Sequence, residues 1–154
     1  MRPGDKAIAI NRRAKHEYHI EDEYEAGLVL QGTEVKALRE GKANITDAFG
    51  RVQGNDIVLL NMHISPYGKA GAYDQHEPTR TRKLLLHRKE IERLRGKTQE
   101  KGLTLVPLRV YWKNGYAKVL LGLGKGKKLY DKRADAKKAD VKRQLDRALR
   151  VEKR

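Results

Sequence analysis

The chain has 154 residues, of which 35 are Lys or Arg and 20 are Asp or Glu, so its net charge is +15 at pH 7. This length suits one domain with an appended tail, and the absence of cysteine excludes disulfides, thiolate catalysis and cysteine-ligated zinc. A positive charge this large indicates a polyanionic partner, either nucleic acid or an anionic membrane surface. Residues 1–10 match neither a signal peptide nor a myristoylation site, and no window holds 18 apolar residues. We therefore expect a cytoplasmic protein without membrane attachment.

The first 30 residues predict two strands. A short strand at 7–10 lies within a leader that runs to residue 15. Residues 16–20 and 23–30 alternate apolar and polar side chains, which is typical of one long strand with one buried face. The Ala26-Gly27 pair predicts a bulge or sharp bend in that strand, a feature that lets long strands curl into barrels.

A short helix is predicted next, at 34–40. Thr33 is a suitable N-cap for it, and Gly41 is a suitable end. Val35 and Leu38 are three residues apart, so they should share the buried face of this helix.

A hairpin and a long loop follow. Residues 45–53 and 56–64 predict two strands joined by a turn at 54–55. Residues 65–78 are rich in Gly, Pro and Tyr and predict an exposed loop, a kind of segment that is usually functional or mobile.

A basic helix and a second hairpin complete the folded part. The helix is predicted at 88–101, with Gly96 as a point where it can break in two. Residues 103–112 and 116–123 predict the last strands, and Asn114-Gly115 between them is the strongest hairpin signal in the chain.

This order of elements predicts a mainly β fold. We expect an OB-like closed antiparallel β-barrel over residues 1–124, with two or three added helices and a basic C-terminal tail at 125–154. The glycines at 122, 124 and 126 should end any regular strand ladder and act as a hinge. The tail holds 13 Lys or Arg against 5 Asp or Glu, and Val141, Leu145 and Leu149 form a narrow apolar stripe. We expect it to be disordered in the free protein and helical on a partner.

The chain offers little for catalysis. His16 and His19 are the only closely spaced histidines, and three residues apart on a strand they would face opposite sides, which argues against a shared metal. A nuclease with a ribonuclease-like His–His or His–Lys pair is the enzyme alternative, because neighbours in a barrel need not be neighbours in sequence. We expect a binding protein rather than an enzyme, with no metal and no cofactor.

Basic residues near aromatic residues fit RNA, which proteins hold by phosphate contacts and by stacking. Glu25 opposes that trend, because a carboxylate repels phosphate. It needs a base amine or an Arg as partner, or else it forms an intramolecular ion pair that holds a basic residue in place. The basic candidates fall into three clusters: Arg12, Arg13, Lys15 and His16 beside Asn11; Lys36, Arg39 and Lys42; and Arg80, Arg82, Lys83 and His87.

Five segments carry a family resemblance. They are NRRAKHEY at 11–18, YEAGLVLQGTEVKALREGKAN at 24–44, PTRTRKLLL at 78–86, LTLVPLRVYWKNG at 103–115 and GKGKKLYDKR at 124–133. Together they resemble the SmpB (small protein B) family, the bacterial protein partners of transfer-messenger RNA.

The resemblance implies an OB-like fold that binds the tRNA-like domain of transfer-messenger RNA, promotes its charging with alanine and brings it to stalled ribosomes. In the family, the protein takes the place of the missing anticodon arm, and the tail enters the empty mRNA channel of the small subunit. Translation resumes on the RNA's own reading frame, and the nascent chain is tagged for proteolysis. Elongation factor Tu and alanyl-tRNA synthetase would be reached through the RNA, and the protein would act as a monomer.

The family's motifs also imply which residues bind. Those expected to contact transfer-messenger RNA are Asn11, Arg12, Arg13, Lys15, His16, Glu25, Lys36, Arg39, Lys42, Asn44, Arg80, Arg82, Lys83, Leu85 and His87. Those expected to contact the ribosome are Gly126, Lys127, Lys128, Tyr130, Asp131, Lys132 and Arg133. The rival class is a generic OB-fold ribosomal protein or translation factor that binds another structured RNA.

Overall fold

The computed structural model describes residues 7–71 and 75–152. Nine strands and four helices lie in these ranges. They are β1 (Ala7–Ile10), α1 (Ala14–Glu17), β2 (Tyr18–Leu28), α2 (Gly32–Arg39), β3 (Ala43–Asn44), β4 (Phe49–Gln53), β5 (Asp56–Leu60), β6 (His63–Ile64), β7 (Arg82–Leu85), α3 (Arg88–Glu100), β8 (Thr104–Lys113), β9 (Tyr116–Gly126) and α4 (Leu129–Glu152).

The main sheet is antiparallel and closes on itself. Its strand order is β1-β8-β4-β5-β7-β2-β9, and β9 also pairs with β8, so six strands form a ring with β1 attached to β8. The ring closes where Gly50 of β4 pairs with Leu105 of β8. A Cβ at Gly50 would lie 2.8 Å from the Leu105 Cβ, so only glycine fits at this closure. The predicted mainly β, closed antiparallel fold is confirmed.

One hydrophobic core fills the ring. Inward side chains of the strands pack with Leu38 of α2 and Leu94 of α3, both of which are fully buried. Removing this apolar surface from water is the main favourable term that holds strands and helices together. The loop residues Ile45 and Met62 join the same core, which fixes the connections before and after the first hairpin.

The N-terminal part differs from prediction at three points. Residues 14–17 form the short helix α1, with Ala14 buried, so His16 lies on a helix and not on a strand. β2 ends at Leu28, before Leu30. Its irregularity falls between Ile20 and Asp22, and the ladder is regular at Ala26-Gly27. Gly27 serves a close approach instead, because a Cβ there would lie 3.3 Å from the Leu85 Cβ.

Helix α2 begins at Gly32, two residues before the predicted start at residue 34. Gln31 is its N-cap, and the Glu34 carboxylate accepts a hydrogen bond from the Gln31 backbone N–H at 2.8 Å, so the predicted Thr33 cap is wrong. Leu38 is buried as predicted, but Val35 is only half-buried. The charged Glu34 takes the inner position instead.

The first hairpin is confirmed at its turn but is shorter than predicted. β4 and β5 pair from Phe49–Leu60 to Gln53–Asp56, while residues 43–44 and 63–64 form a separate pair of strands. Helix α3 runs through Gly96 without a break. The cost of one glycine in a helix, about 1 kcal/mol, is smaller than the gain from burying Leu94 in the core.

The glycines at the end of β9 do not end the ladder, contrary to prediction. β9 pairs with β2 through Gly126, opposite Tyr18. Gly122 and Gly124 are buried, and a Cβ at Gly124 would lie 2.5 Å from the His19 carbonyl oxygen. These glycines therefore let β2 and β9 pass closely where the bulge brings β2 inward.

The tail forms helix α4 in the structure. Val141, Leu145 and Leu149 are 49%, 60% and 55% exposed, so its apolar stripe is not covered by the described part of the chain. That the tail is disordered in the free protein stays a prediction. None of the helices in the described residues combines the length and apolar character needed to cross a lipid bilayer.

Candidate RNA-binding surface

The predicted residues around α1 divide into one buried and four exposed side chains. Arg12, Arg13, Lys15 and His16 are exposed. Asn11 is only 7% exposed. Its backbone N–H donates to Leu108 O at 2.8 Å, and its Nδ2 donates to Pro107 O at 3.1 Å.

Asn11 therefore fastens the start of α1 to β8. Its Oδ1 is buried and has no hydrogen-bond partner among the described residues. An RNA contact by Asn11 itself stays a prediction.

The start of the tail lies against α1. The Lys127 backbone N–H donates to Glu17 O at 2.8 Å, and its Nζ bonds the Asp135 carboxylate of α4. This hydrogen bond holds the pKa of Asp135 below its ordinary value. Lys15 and Lys127 line one groove beside β2, so a predicted RNA-binding residue and a predicted tail residue share a surface.

A second groove brings together three predicted residues from different elements. Glu25 of β2, Leu85 of β7 and His87 at the start of α3 line it, together with Gly27 and Lys118. Leu85 is 55% exposed although it lies in a strand. Single exposed leucines are common on protein surfaces, so the interest of Leu85 is its place beside Glu25, His87 and Lys118 in one groove.

The strand register produces this groove. Gly27 pairs with Leu85 on one side and with Lys118 on the other, so the three residues form a row across β7, β2 and β9. Because Gly27 has no side chain, the side chains of Leu85 and Lys118 lie close over it, and Gly27 is buried. A Cβ at Gly27 would lie 3.3 Å from the Leu85 Cβ and 3.8 Å from the Lys118 Nζ.

Glu25 has partners within the protein. The Tyr111 hydroxyl donates a hydrogen bond to one of its oxygens, and Lys113 Nζ lies 3.0 and 3.2 Å from the two oxygens. The Tyr111 hydrogen bond is the main cause that lowers the pKa of Glu25, and Lys113 adds to it. The geometry matches the intramolecular alternative, in which Glu25 holds a basic residue at the edge of the groove.

Lys113 and Lys118 were missed by the sequence reasoning. Lys113 comes directly before the Asn114-Gly115 turn and its Nζ contacts Glu25, whereas Lys118 lies on β9 opposite Gly27. The alternation of Lys118 with the buried Ala117 and Val119 marks an outward face. That face could have been found from the hairpin signal, although its neighbours could not.

The second predicted cluster lies on and after α2. Lys36, Arg39 and Lys42 are exposed, and Lys42 Nζ lies 3.1 Å from the Glu40 carboxylate. Lys36 Nζ lies 5.6 Å from the centre of the Tyr67 ring. Asn44 is exposed and its Oδ1 accepts a hydrogen bond from the Thr46 backbone N–H at 2.8 Å.

The third predicted cluster is only partly on the surface. Arg82 has no solvent exposure, and its guanidinium bonds Glu34 and the carbonyls of Met62 and Pro78, so it cannot reach RNA in this fold. Arg80 is half-buried, with Nη2 at 2.6 Å from Glu34. Side chains along β7 alternate between the inside and the outside of the ring, and Arg82 points inward. Lys83 is exposed, and its Nζ lies 3.4 Å from the Asp56 carboxylate.

The residues predicted to contact the ribosome lie at the junction of β9 and α4. Gly126 is the last residue of β9, and the Lys132 backbone N–H donates to Lys128 O at 3.2 Å in the first turn of α4. Arg133 is exposed. The side chains of Tyr130 and Asp131 lie outside the part of the chain that the structure describes.

His16 and His19 lie on different elements, so the argument from opposite strand faces was wrong for this pair. Within residues 7–71 and 75–152, no three His, Asp or Glu side chains cluster so that they could bind a metal ion.

The class of protein that the structure defines is a small, basic β protein, with exposed cations, an exposed leucine and a tyrosine-held carboxylate on an antiparallel ring. The particular family is shown by comparison. The family model described as "SmpB protein" matches residues 8–151, so the chain belongs to the SmpB family.

Two bacterial proteins are more than 50% identical to this chain over 145 residues. The chain is 56% identical over 145 residues to the "SsrA-binding protein" of Bacillus subtilis (strain 168), covering 94% of this chain and 92% of that protein. It is 59% identical over 145 residues to the protein of the same name from Anoxybacillus flavithermus (strain DSM 21510 / WK1), covering 94% of each.

A solved structure is similar in fold as well. It is described as "tmRNA-SmpB: a journey to the center of the bacterial ribosome", and it is 53% identical with a TM-score of 0.64. The match covers 88% of this chain and 95% of that one.

Proposed function

We propose that this protein binds the tRNA-like domain of transfer-messenger RNA through its β ring and brings it to stalled ribosomes in the cytoplasm. There the tail enters the empty mRNA channel, and translation resumes on the RNA's own reading frame. The observation that carries the proposal is the groove in which Glu25, Leu85 and Lys118 meet on the outer face of the sheet. Alanyl-tRNA synthetase and elongation factor Tu are reached through the RNA, and the protein acts as a monomer.

The groove supports binding of a folded RNA rather than of free phosphate. Leu85 is more than half exposed and offers a nucleoside an apolar surface, while Lys113 and Lys118 provide charge for the phosphates. Because Glu25 holds the Lys113 ammonium group in place, less side-chain entropy is lost when RNA binds. The names of the similar proteins, "SsrA-binding protein" and "tmRNA-SmpB", support the choice of RNA.

The tail supports the second half of the proposal. α4 carries exposed Lys and Arg on a helix whose apolar stripe is uncovered by the described residues, so it has binding surface left for a partner. A basic helix of this kind gains charge-assisted phosphate contacts in a channel lined by RNA.

The first experiment measures binding to the isolated tRNA-like domain. Leu85→Ala should weaken binding about tenfold or more, because burying a leucine side chain against a nucleoside is worth roughly 1.5–3 kcal/mol. Leu145→Ala, which removes a similarly exposed leucine from α4, should leave the affinity unchanged. For about six phosphate contacts, wild-type affinity should fall about 10³-fold between 50 and 200 mM salt. Equal losses for both variants would contradict a groove-based site.

The second experiment separates RNA binding by the β ring from the action of the tail on the ribosome. A chain that ends at Lys128 keeps the whole of β9 and the Lys127–Glu17 hydrogen bond. It should bind the tRNA-like domain nearly as well as the full chain but fail to support tagging on stalled ribosomes. A parallel loss of both would refute the division of labour. Recovery of another RNA as the dominant species from bacterial lysate would favour the generic ribosomal-protein alternative.

A further inference from the structure

The loop that follows β6 is fastened to α2 and to the turn after it. His76 is 5% exposed, and its ring nitrogens lie 2.9 Å from Thr33 Oγ1 and 2.9 Å from Ile64 O. The Ser65 backbone N–H donates to Lys42 O at 3.1 Å. The described part of this loop is therefore held against α2 by polar contacts, although it contributes little apolar surface.

A single amide side chain fixes the backbone around Tyr67. Gln75 Oε1 accepts a hydrogen bond from the Tyr67 N–H at 3.1 Å, and Gln75 Nε2 donates to the carbonyls of Tyr67 and Ala70. Both backbone groups of Tyr67 are bonded by a residue eight positions later. This arrangement lowers the conformational entropy that is lost when the ring engages a ligand.

The Tyr67 ring is half-buried, but it does not belong to the hydrophobic core of the described residues or to the side chains packed against that core. Its described neighbour is a cation: Lys36 Nζ lies 5.6 Å from the ring centre. Arg39 is exposed one turn further along α2, and Lys69 is exposed in the loop itself. A tyrosine held by hydrogen bonds among cations, and not needed for the core, fits a stacking platform.

We propose that Tyr67 and Lys36 form a second RNA contact, at which an unpaired nucleotide stacks on the tyrosine ring. Lys36, Arg39 and Lys69 meet the adjoining phosphates. This inference rests on the proposed function, because it takes the protein to be an RNA carrier, but it concerns a different surface from the Glu25–Leu85 groove. The buried Glu34–Arg82 ion pair joins α2 to β7 and so fixes the position of one contact relative to the other.

The unpaired nucleotide can come from transfer-messenger RNA or from ribosomal RNA, and two binding assays distinguish these sources. One uses the isolated tRNA-like domain, and the other uses purified 70S ribosomes stalled on a truncated message. Tyr67→Leu should weaken binding roughly 5- to 100-fold in one of them, the range for loss of one base–aromatic stack. Tyr67→Phe keeps the ring and should stay within about twofold of wild type.

Lys36→Gln gives an independent readout, because loss of one phosphate contact should reduce the slope of log affinity against log salt by about 1. Lys101→Gln, an exposed lysine at the end of α3, is the charge-matched control and should leave the slope unchanged. The inference is overturned if Tyr67→Leu leaves both assays within twofold, or if Tyr67→Phe loses as much as Tyr67→Leu. If the wild type binds neither probe, or Leu85→Ala binds as well as wild type, the proposed function fails instead.

Discussion

Arg82 of β7 and Glu34 of α2 form an ion pair in which neither side chain is exposed to solvent. Arg82 also donates to Met62 O at 2.6 Å and to Pro78 O at 3.1 Å, and Arg80 donates to the other Glu34 oxygen at 2.6 Å. Burying a charge is costly unless it is paired and hydrogen-bonded, and here the bonds from both arginines meet that condition. The pair holds α2, the loop before β7 and β7 in one arrangement.

Glu34→Gln should destabilise the protein by about 3–5 kcal/mol, because it leaves the Arg82 guanidinium buried without a counter-charge. The measurement is urea unfolding at pH 7. Glu40→Gln removes an exposed carboxylate next to the same helix and should change the free energy of unfolding by less than about 0.5 kcal/mol. Similar values for the two variants would show that the buried pair contributes no more than a surface pair.

The same residue gives a prediction for acid stability. Burial raises the pKa of Glu34, whereas hydrogen bonds from Arg80, the Gln31 backbone and Arg82 lower it. The hydrogen bonds outweigh the burial, so the pKa in the folded protein lies below the ordinary value of 4.5. As the pH falls, the unfolded chain takes up the proton first. The stabilisation is therefore complete above about pH 4.5 and is lost as the pH falls through the folded pKa. Glu34→Gln should flatten this part of the stability curve, whereas Glu40→Gln should leave it steep.

Gly124→Ala should destabilise the β2–β9 ladder, because the new Cβ would lie 2.5 Å from His19 O and 3.0 Å from the end of the Ile20 side chain. Forcing the backbones apart should cost about 1–3 kcal/mol. Gly126→Ala is the matched control, since its Cβ would meet no described atom within 4 Å. Thermal unfolding of the two variants checks this, and equal melting temperatures would contradict the close-approach explanation.

The two hairpin turns could be predicted from the sequence. Gly54, Asn114 and Gly115 have φ values of 59°, 52° and 79°, which favour glycine and asparagine. Most of the longer strands and helices followed from the alternation and spacing of apolar residues, because those residues are close in sequence.

What the sequence could not predict depends on distant residues. The burial of Arg82 depends on Glu34, 48 residues earlier, and the ring depends on the Gly50–Leu105 pairing. The glycines of β9 were mistaken for a hinge, because their close approach to His19 appears only after β2 and β9 pair. Leu85 and Glu25 were predicted as site residues from the family resemblance. The position of Lys113 beside Glu25 could be found only from the folded sheet.

The tail gives a prediction about order. Backbone NMR of the free protein should show random-coil shifts for residues 134–150, because an isolated helix with an uncovered apolar stripe is marginal. Helical shifts should develop on addition of ribosomal small subunits. Dispersed helical shifts in the free protein would refute the expectation of folding on a partner.

Tyr111→Phe should raise the pKa of Glu25 toward its ordinary value of 4.5, because the main hydrogen bond that stabilises the carboxylate is lost. The measurement is a pH titration of the Glu25 side-chain carboxyl carbon by NMR. Lys113→Gln should also raise the pKa, because a hydrogen bond and an ionic attraction to the carboxylate are lost. An unchanged pKa in Tyr111→Phe would mean that the hydroxyl does not help to hold Glu25 ionised.

Gly27→Ala should weaken binding of the tRNA-like domain. The added methyl group lies 3.3 Å from the Leu85 Cβ, so Leu85 must shift by a few tenths of an ångström, and this displaces the side chain proposed to contact the nucleoside. Gly32→Ala is the control, because its Cβ would meet no described atom within 4 Å and alanine favours the helix that begins there. A several-fold loss of affinity for Gly27→Ala, and none for Gly32→Ala, is expected. Unchanged affinity would mean that RNA does not enter the row between Leu85 and Lys118, and the contact would then have to lie on the exposed cations around α1.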